Sequence, residues 1–224
     1  MSPLREVGPS GWLRPHSHER PPDPDAPGKG LVLGVLALQG AFAEHAVAFA
    51  RLGSEVREVR RPEHLQGIDG LAIPGGESTT MSKLLVSSGL FGELGARLSA
   101  GFPVFGTCAG LILLASAILD GRPDQEGFAA IDVAVRRNGY GRQRDSFEAD
   151  VEMPVLESGE PVRAVFIRAP RIESAGPTVQ ILGSVGGVPV VVRQGHVLAA
   201  SFHPEMTAEL RIHRYFVESL IRGN

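Results

Sequence analysis

The sequence predicts an α/β protein of three layers, with a central mostly parallel sheet and helices on both faces. Three observations carry this. Continuous apolar runs such as "LVLGVLAL" (31–38) suit parallel strands buried on both faces. Apolar residues recur at helical spacing between those runs. Strand and helix patterns alternate through the first half, and further strands follow in the second.

The elements follow in order from about residue 30. After the first apolar run and Gln39-Gly40, the residues Phe42, Ala46, Phe49 and Ala50 define a helix face. "SEVREVR" alternates as a strand, and "GLAIP" (70–74) is a short buried one. Helices are expected over about 79–86 and 90–98. "FPVFGT" then reads as a strand running directly into a helix "AGLILLASAIL". "AIDVAVRR", "SFEADVEM", "VRAVFIRA" and "TVQILGSV" read as strands of mixed pattern, and "VPVVVRQGHVLAASF" as a hairpin turning at Gln194-Gly195. A closing helix places Ile212, Tyr215, Phe216 and Leu220 on one face.

Residues 1–29 differ in kind. They hold seven of the 17 prolines, four basic and four acidic residues, and little to bury. Such a segment does not offset its ordering entropy, so a disordered leader over 1–29 and one domain over 30–224 are expected. His16 and His18 in that leader read as solvated, and no metal site is expected. A net charge of −3 gives no reason to expect nucleic acid or an anionic membrane as partner. No apolar run reaches the roughly 20 residues that span a bilayer. A single cysteine excludes an intrachain disulfide and fits a cytoplasmic, reducing compartment.

That cysteine, Cys108, stands where "PVFG" gives way to a helix, at the carboxyl end of a predicted strand. Ligands of open α/β sheets bind at such ends. The frame Gly106-Thr107-Cys108-Ala109-Gly110 is the sulfur version of a nucleophile elbow, whose tight turn requires small neighbours. A helix N-terminus there favours the reactive thiolate. The alternative is a buried structural cysteine acting as a small hydrophobe.

A thiolate nucleophile needs a base, and the base needs an orienting group. "SFHPE" (201–205) offers both. In an extended segment His203 and Glu205 leave on the same face, and Pro204 disfavours the α conformation at His203. A third element, "IPGGEST" (73–79), puts a glycine pair directly after a buried strand. Its backbone amides, near Gly76, could serve an oxyanion together with the amide of Ala109. It lacks both phosphate-loop patterns, so nucleotide binding is rejected.

"PGGEST", "GTCAG" and "FHPE", in that order and on those elements, resemble the class I (triad) glutamine amidotransferases, whose domains are flavodoxin-like. "LALQGAFAEH", "LAIPGGESTTM", "RRNGYGRQRDSFEAD", "VFIRAPRI" and "SFHPEMT" narrow the resemblance to the glutaminase subunits of pyridoxal 5′-phosphate synthase, over about residues 31–221. The leader departs from that pattern, as does Gly139-Tyr140, where Ser-Phe is more usual.

The resemblance implies a catalytic triad of Cys108, His203 and Glu205. It implies L-glutamine binding at Gly76, Glu77 and Ser78, at Arg137, and at Ile167 and Arg168. The residues alone ask for a cation against the substrate carboxylate without choosing among Arg137, Arg142, Arg144 and Arg168. The resemblance further implies hydrolysis of glutamine to glutamate, and ammonia passed to a pyridoxal 5′-phosphate synthase subunit in a complex of twelve of each. No cofactor is implied for this chain. A glutaminase serving another synthase, and a non-enzymatic α/β protein, remain the competing readings.

Overall fold

The computed structural model describes residues 26–139, 146–156 and 159–223. Its central sheet has seven strands. They are β1 (Val32–Leu36), β2 (Glu55–Val59), β3 (Gly70–Ile73), β4 (Val104–Thr107), β10 (Gln180–Val185), β11 (Val188–Gln194) and β12 (Val197–Ala200). The order across the sheet is β10-β11-β12-β4-β3-β1-β2. The five strands from β12 to β2 run parallel, and β10 and β11 extend the sheet antiparallel.

Helices cover both faces, which is why the inner parallel strands β1, β3, β4 and β12 are buried almost throughout, while the edge strand β2 is only partly buried. On one face Leu33, Val35, Ala72, Phe105 and Leu198 share a core with Phe49 of α1 (Phe42–Arg51) and Phe216 of α5 (Arg211–Phe216). On the other, Leu71, Ile73, Val104 and Ala199 pack on α2 (Ser78–Ser87), α3 (Leu90–Ser99) and α4 (Ala109–Leu114). Phe49, Phe105 and Phe216 are fully buried, each contributing about 1.5–3 kcal/mol of transfer free energy.

The remaining strands form two small sheets. One joins β5 (Ala115–Ile118), β6 (Ile131–Arg136) and β9 (Arg171–Ala175), and the other pairs β7 (Ser146–Val151) with β8 (Val162–Ile167). No described helix is long and apolar enough to cross a membrane.

Four expectations change. The helix after Cys108 stops at Leu114 instead of continuing through "ASAIL", because the amides of Phe128 and Ala130 take the carbonyls of Leu113 and Leu114. The chain then leaves as β5, paired with β6. In α1 the buried residues are His45, Ala48 and Phe49, while Ala50 faces solvent. The hairpin pairs Gln194 with Val197, so its turn is centred one residue later, on Gly195-His196. Finally, 26–29, assigned to the leader by composition, form a turn tied to the domain. Gly28 donates to the Leu52 carbonyl at 2.8 Å, and the Arg222 guanidinium donates to the carbonyls of Pro27 and Lys29. The rest of the leader, His16 and His18 included, and Tyr140, Arg142 and Arg144 lie outside the described residues.

Candidate active site

Four parallel strands end at one level. β4 is flanked by β3, with Ile73 opposite Gly106, and by β12, with Ala200 opposite Thr107. Past these ends, Gly75-Gly76, Cys108 and His203 come together, although 95 residues separate the cysteine from the histidine. β1 delivers Gln39 beside β3, at the point where the strand order reverses, the usual ligand crevice of this topology.

Cys108 has φ 50° and ψ −102°, a backbone conformation that costs a non-glycine residue about 1–3 kcal/mol. The surroundings hold it there. Its amide donates to the Ala200 carbonyl at 2.9 Å, and its carbonyl accepts from Ile112 at 3.2 Å. The flanking glycines are required by packing: a Cβ on Gly106 would lie 2.8 Å from the Gly110 carbonyl carbon, and one on Gly110 would overlap the Ile73 carbonyl oxygen. Gly75 is equally constrained, since a Cβ there would overlap the His203 ring and meet Cys108 Cβ at 3.3 Å.

His203 Nδ1 donates to Glu205 Oε1 at 2.7 Å, leaving the other ring nitrogen for Cys108. His203 is non-helical, at φ −112° and ψ 81°. Glu205, however, sits in a 3₁₀ turn over Pro204–Met206 and not in an extended segment. Proline at the first helical position favours that turn, and the turn swings the carboxylate back under the imidazole. The His203 amide is anchored on the Val165 carbonyl of β8 at 2.9 Å.

The imidazole is set to carry charge. Burial is the largest single influence and opposes protonation. The hydrogen bond with Cys108, the hydrogen bond with Glu205 and the negative charge of both outweigh it, raising His203 from 6.5 to about 10.

The cleft in front of the sulfur has a volume of about 390 Å³. All six residues expected to bind substrate line it: Gly76, Glu77, Ser78, Arg137, Ile167 and Arg168. Glu205 stands behind His203, and Ala109 follows Cys108 in the first turn of α4, where amides have no partner within the helix.

The Glu77 carboxylate is already held by protein partners. It caps α2 through the amides of Thr79 (3.0 Å) and Thr80 (2.7 Å), and it accepts from Arg137 at 3.2 Å. Its partial burial, the largest influence, raises its proton affinity, but the bonds from Thr80 and Thr79 hold it down at about 2. Arg137 is braced by Glu77, Thr79 and Gln125, and Arg168 sits at φ 44° at the end of β8.

Gln39, Ile112, Asn138 and Met206 also line the cleft and were not singled out from sequence. Gln39 had a usable signal, its place just past the first parallel strand. Its Oε1 accepts from the Glu77 amide at 2.9 Å, fixing the glycine loop against β1.

The profile of the SNO glutamine amidotransferase family matches residues 35–222. The pyridoxal 5′-phosphate synthase subunit PdxT of Streptomyces coelicolor is 54% identical over 193 residues, 86% of this chain and 95% of that protein. The protein of the same name from Rhodococcus opacus is 54% identical over 199 residues, 86% of this chain and 98% of its own. A crystal structure described as a glutamine amidotransferase superposes with a TM-score of 0.78 at 49% identity, covering 83% of this chain and 97% of that one. On the span of the family match and this level of identity, the chain belongs to the SNO glutamine amidotransferase family.

Proposed function

We infer that this chain is the glutaminase subunit of a pyridoxal 5′-phosphate synthase, hydrolysing L-glutamine to L-glutamate and ammonia. One observation carries the reading. A cysteine held at positive φ faces an imidazole whose far nitrogen lies 2.7 Å from a buried carboxylate, at the wall of a cleft of about 390 Å³.

The Cys108 thiolate attacks the carboxamide carbon of glutamine, and the carbonyl oxygen becomes an oxyanion held by amides near Gly76 and of Ala109. The His203 imidazolium gives its proton to the departing nitrogen as the C–N bond breaks, releasing ammonia and leaving a γ-glutamyl thioester on Cys108. The neutral imidazole then takes a proton from water, which attacks the thioester. Collapse expels the thiolate and yields glutamate. Glu205 holds the imidazole in the correct tautomer and stabilises its cation.

Substrate recognition uses Gly76, Glu77 and Ser78, the Ile167-Arg168 turn and the Arg137 guanidinium. A cation there suits the α-carboxylate of an amino acid. The ammonia passes to the synthase subunit, in an assembly of twelve of each and in the cytoplasm. The test is glutamate release from glutamine with and without that synthase subunit. Release that rises only with this partner supports the reading. An equal response to a different ammonia-using synthase, or no hydrolysis with either, contradicts it.

A further inference from the structure

Behind the triad lies a second, fully buried pair of histidines that the reaction above does not use. His45 projects from α1 and His213 from α5. His45 Nε2 lies 3.0 Å from Thr107 Oγ1 and 3.4 Å from Glu205 Oε2, while its Nδ1 lies 2.9 Å from His213 Nε2. Glu205 has its Oε1 on His203, and its buried Oε2 has no hydrogen-bond partner within ordinary distance among the described residues.

The inventory of donors fixes the protons. An ionised carboxylate only accepts, so the ring nitrogen facing Oε2 must carry hydrogen. Burial first, then the nearby His213 and His203, keep His45 well below its usual range and therefore neutral. With the proton on Nε2, His45 Nδ1 is an acceptor and His213 Nε2 must donate to it. That leaves His213 Nδ1 as a bare lone pair, and among the described residues this nitrogen has no hydrogen-bond partner. The opposite tautomer would set a lone pair of His45 against a lone pair of Glu205.

We propose that His45 is a positioning residue of the triad: its Nε2–H, shared between Glu205 and Thr107, holds the carboxylate and the nucleophile elbow in register, and His213 locks its tautomer. Thr107 immediately precedes Cys108, so one N–H ties the two arms of the triad together. The proposal rests on the glutaminase reading for its kinetic consequence, but its proton placement stands apart from any substrate. The titratable groups facing the pair are Glu205 and His203 in front and Glu209 on the side of His213.

Three measurements test it, the kinetic ones made with the synthase subunit present. Side-chain ¹⁵N NMR of the unmodified protein should show His45 neutral with its proton on Nε2. His45→Phe keeps a ring in the core but removes the donor. It should lower kcat on the order of tenfold to a hundredfold, the range seen for outer-shell partners of metal-site ligands, with KM for glutamine little changed. The basic limb of its pH profile should move to lower pH, because a loosened Glu205 stabilises the His203 cation less. His45→Gln, which returns an N–H near the Nε2 position, should recover most of the loss. A proton on Nδ1 of His45 overturns the proposal even if His45→Phe does not fold. A folded His45→Phe with unchanged kcat overturns it, as does a kcat loss that leaves the pH profile fixed and is not rescued by His45→Gln. Loss of the NMR signature would not touch the glutaminase reading, and an inactive wild-type complex would not touch the NMR result.

Discussion

Glu205 Oε1 accepts a 2.7 Å hydrogen bond from His203 Nδ1, and the carboxylate that does so is completely shut off from solvent. A buried anion beside an imidazole acts on both the tautomer and the charge of the ring. Glu205→Gln keeps the shape and removes the charge. It should lower kcat by about 10²–10⁴-fold, the range of general acid–base contributions. The basic limb of the pH profile should also move to lower pH, since His203, held up at about 10, loses one of the two groups that favour its cation. Steady-state glutamine hydrolysis across pH checks both.

Gly75 tests geometry without removing any reacting group. Its Cβ would overlap the His203 ring and crowd Cys108. Gly75→Ala should therefore fold, yet lose activity on the order of 10²-fold, the cost of about 1 Å of misplacement. Circular dichroism and the same assay separate the two effects.

The buried histidines give stability a pH dependence whose sign can be worked out. Burial, the largest influence, lowers His213 from 6.5 to about 3 against the opposing pull of Glu209. Below pH 6.5 the unfolded chain binds a proton that the folded one refuses, so stability is lost as pH falls from 6.5 toward about 3. His203 works the other way. Its folded value of about 10 adds stability that is complete below 6.5 and is lost as pH rises through about 10. Urea midpoints measured from pH 4 to 8 should fall on the acid side. That slope should be shallower in His213→Phe, whatever its overall stability.

Much of the site was legible because local chemistry announced it. The Gly106 and Gly110 frame around Cys108, and His203-Pro204-Glu205 after a strong strand, each sit within a few residues. Other features depend on contacts between distant segments. His45 falls inside an apolar helical pattern in which Phe42, Ala46 and Phe49 drew attention, and its partner His213 is 168 residues away. Nothing in "AGLILLASAIL" signals that the amides of Phe128 and Ala130 will claim the carbonyls of Leu113 and Leu114. Composition likewise cannot show that Arg222 reaches back to Pro27 and Lys29. Residues with strong local constraints can be read one segment at a time, whereas a buried polar pair is defined only once the sheet has brought its halves together.

The most direct test concerns the sulfur itself. Cys108→Ala, combined with the synthase subunit, should release no glutamate from glutamine above background while keeping the wild-type circular dichroism and thermal transition. The unmodified chain incubated with glutamine and quenched in acid should show the added mass of a γ-glutamyl group on Cys108. Glutamine hydrolysis at the wild-type rate by Cys108→Ala would contradict the account.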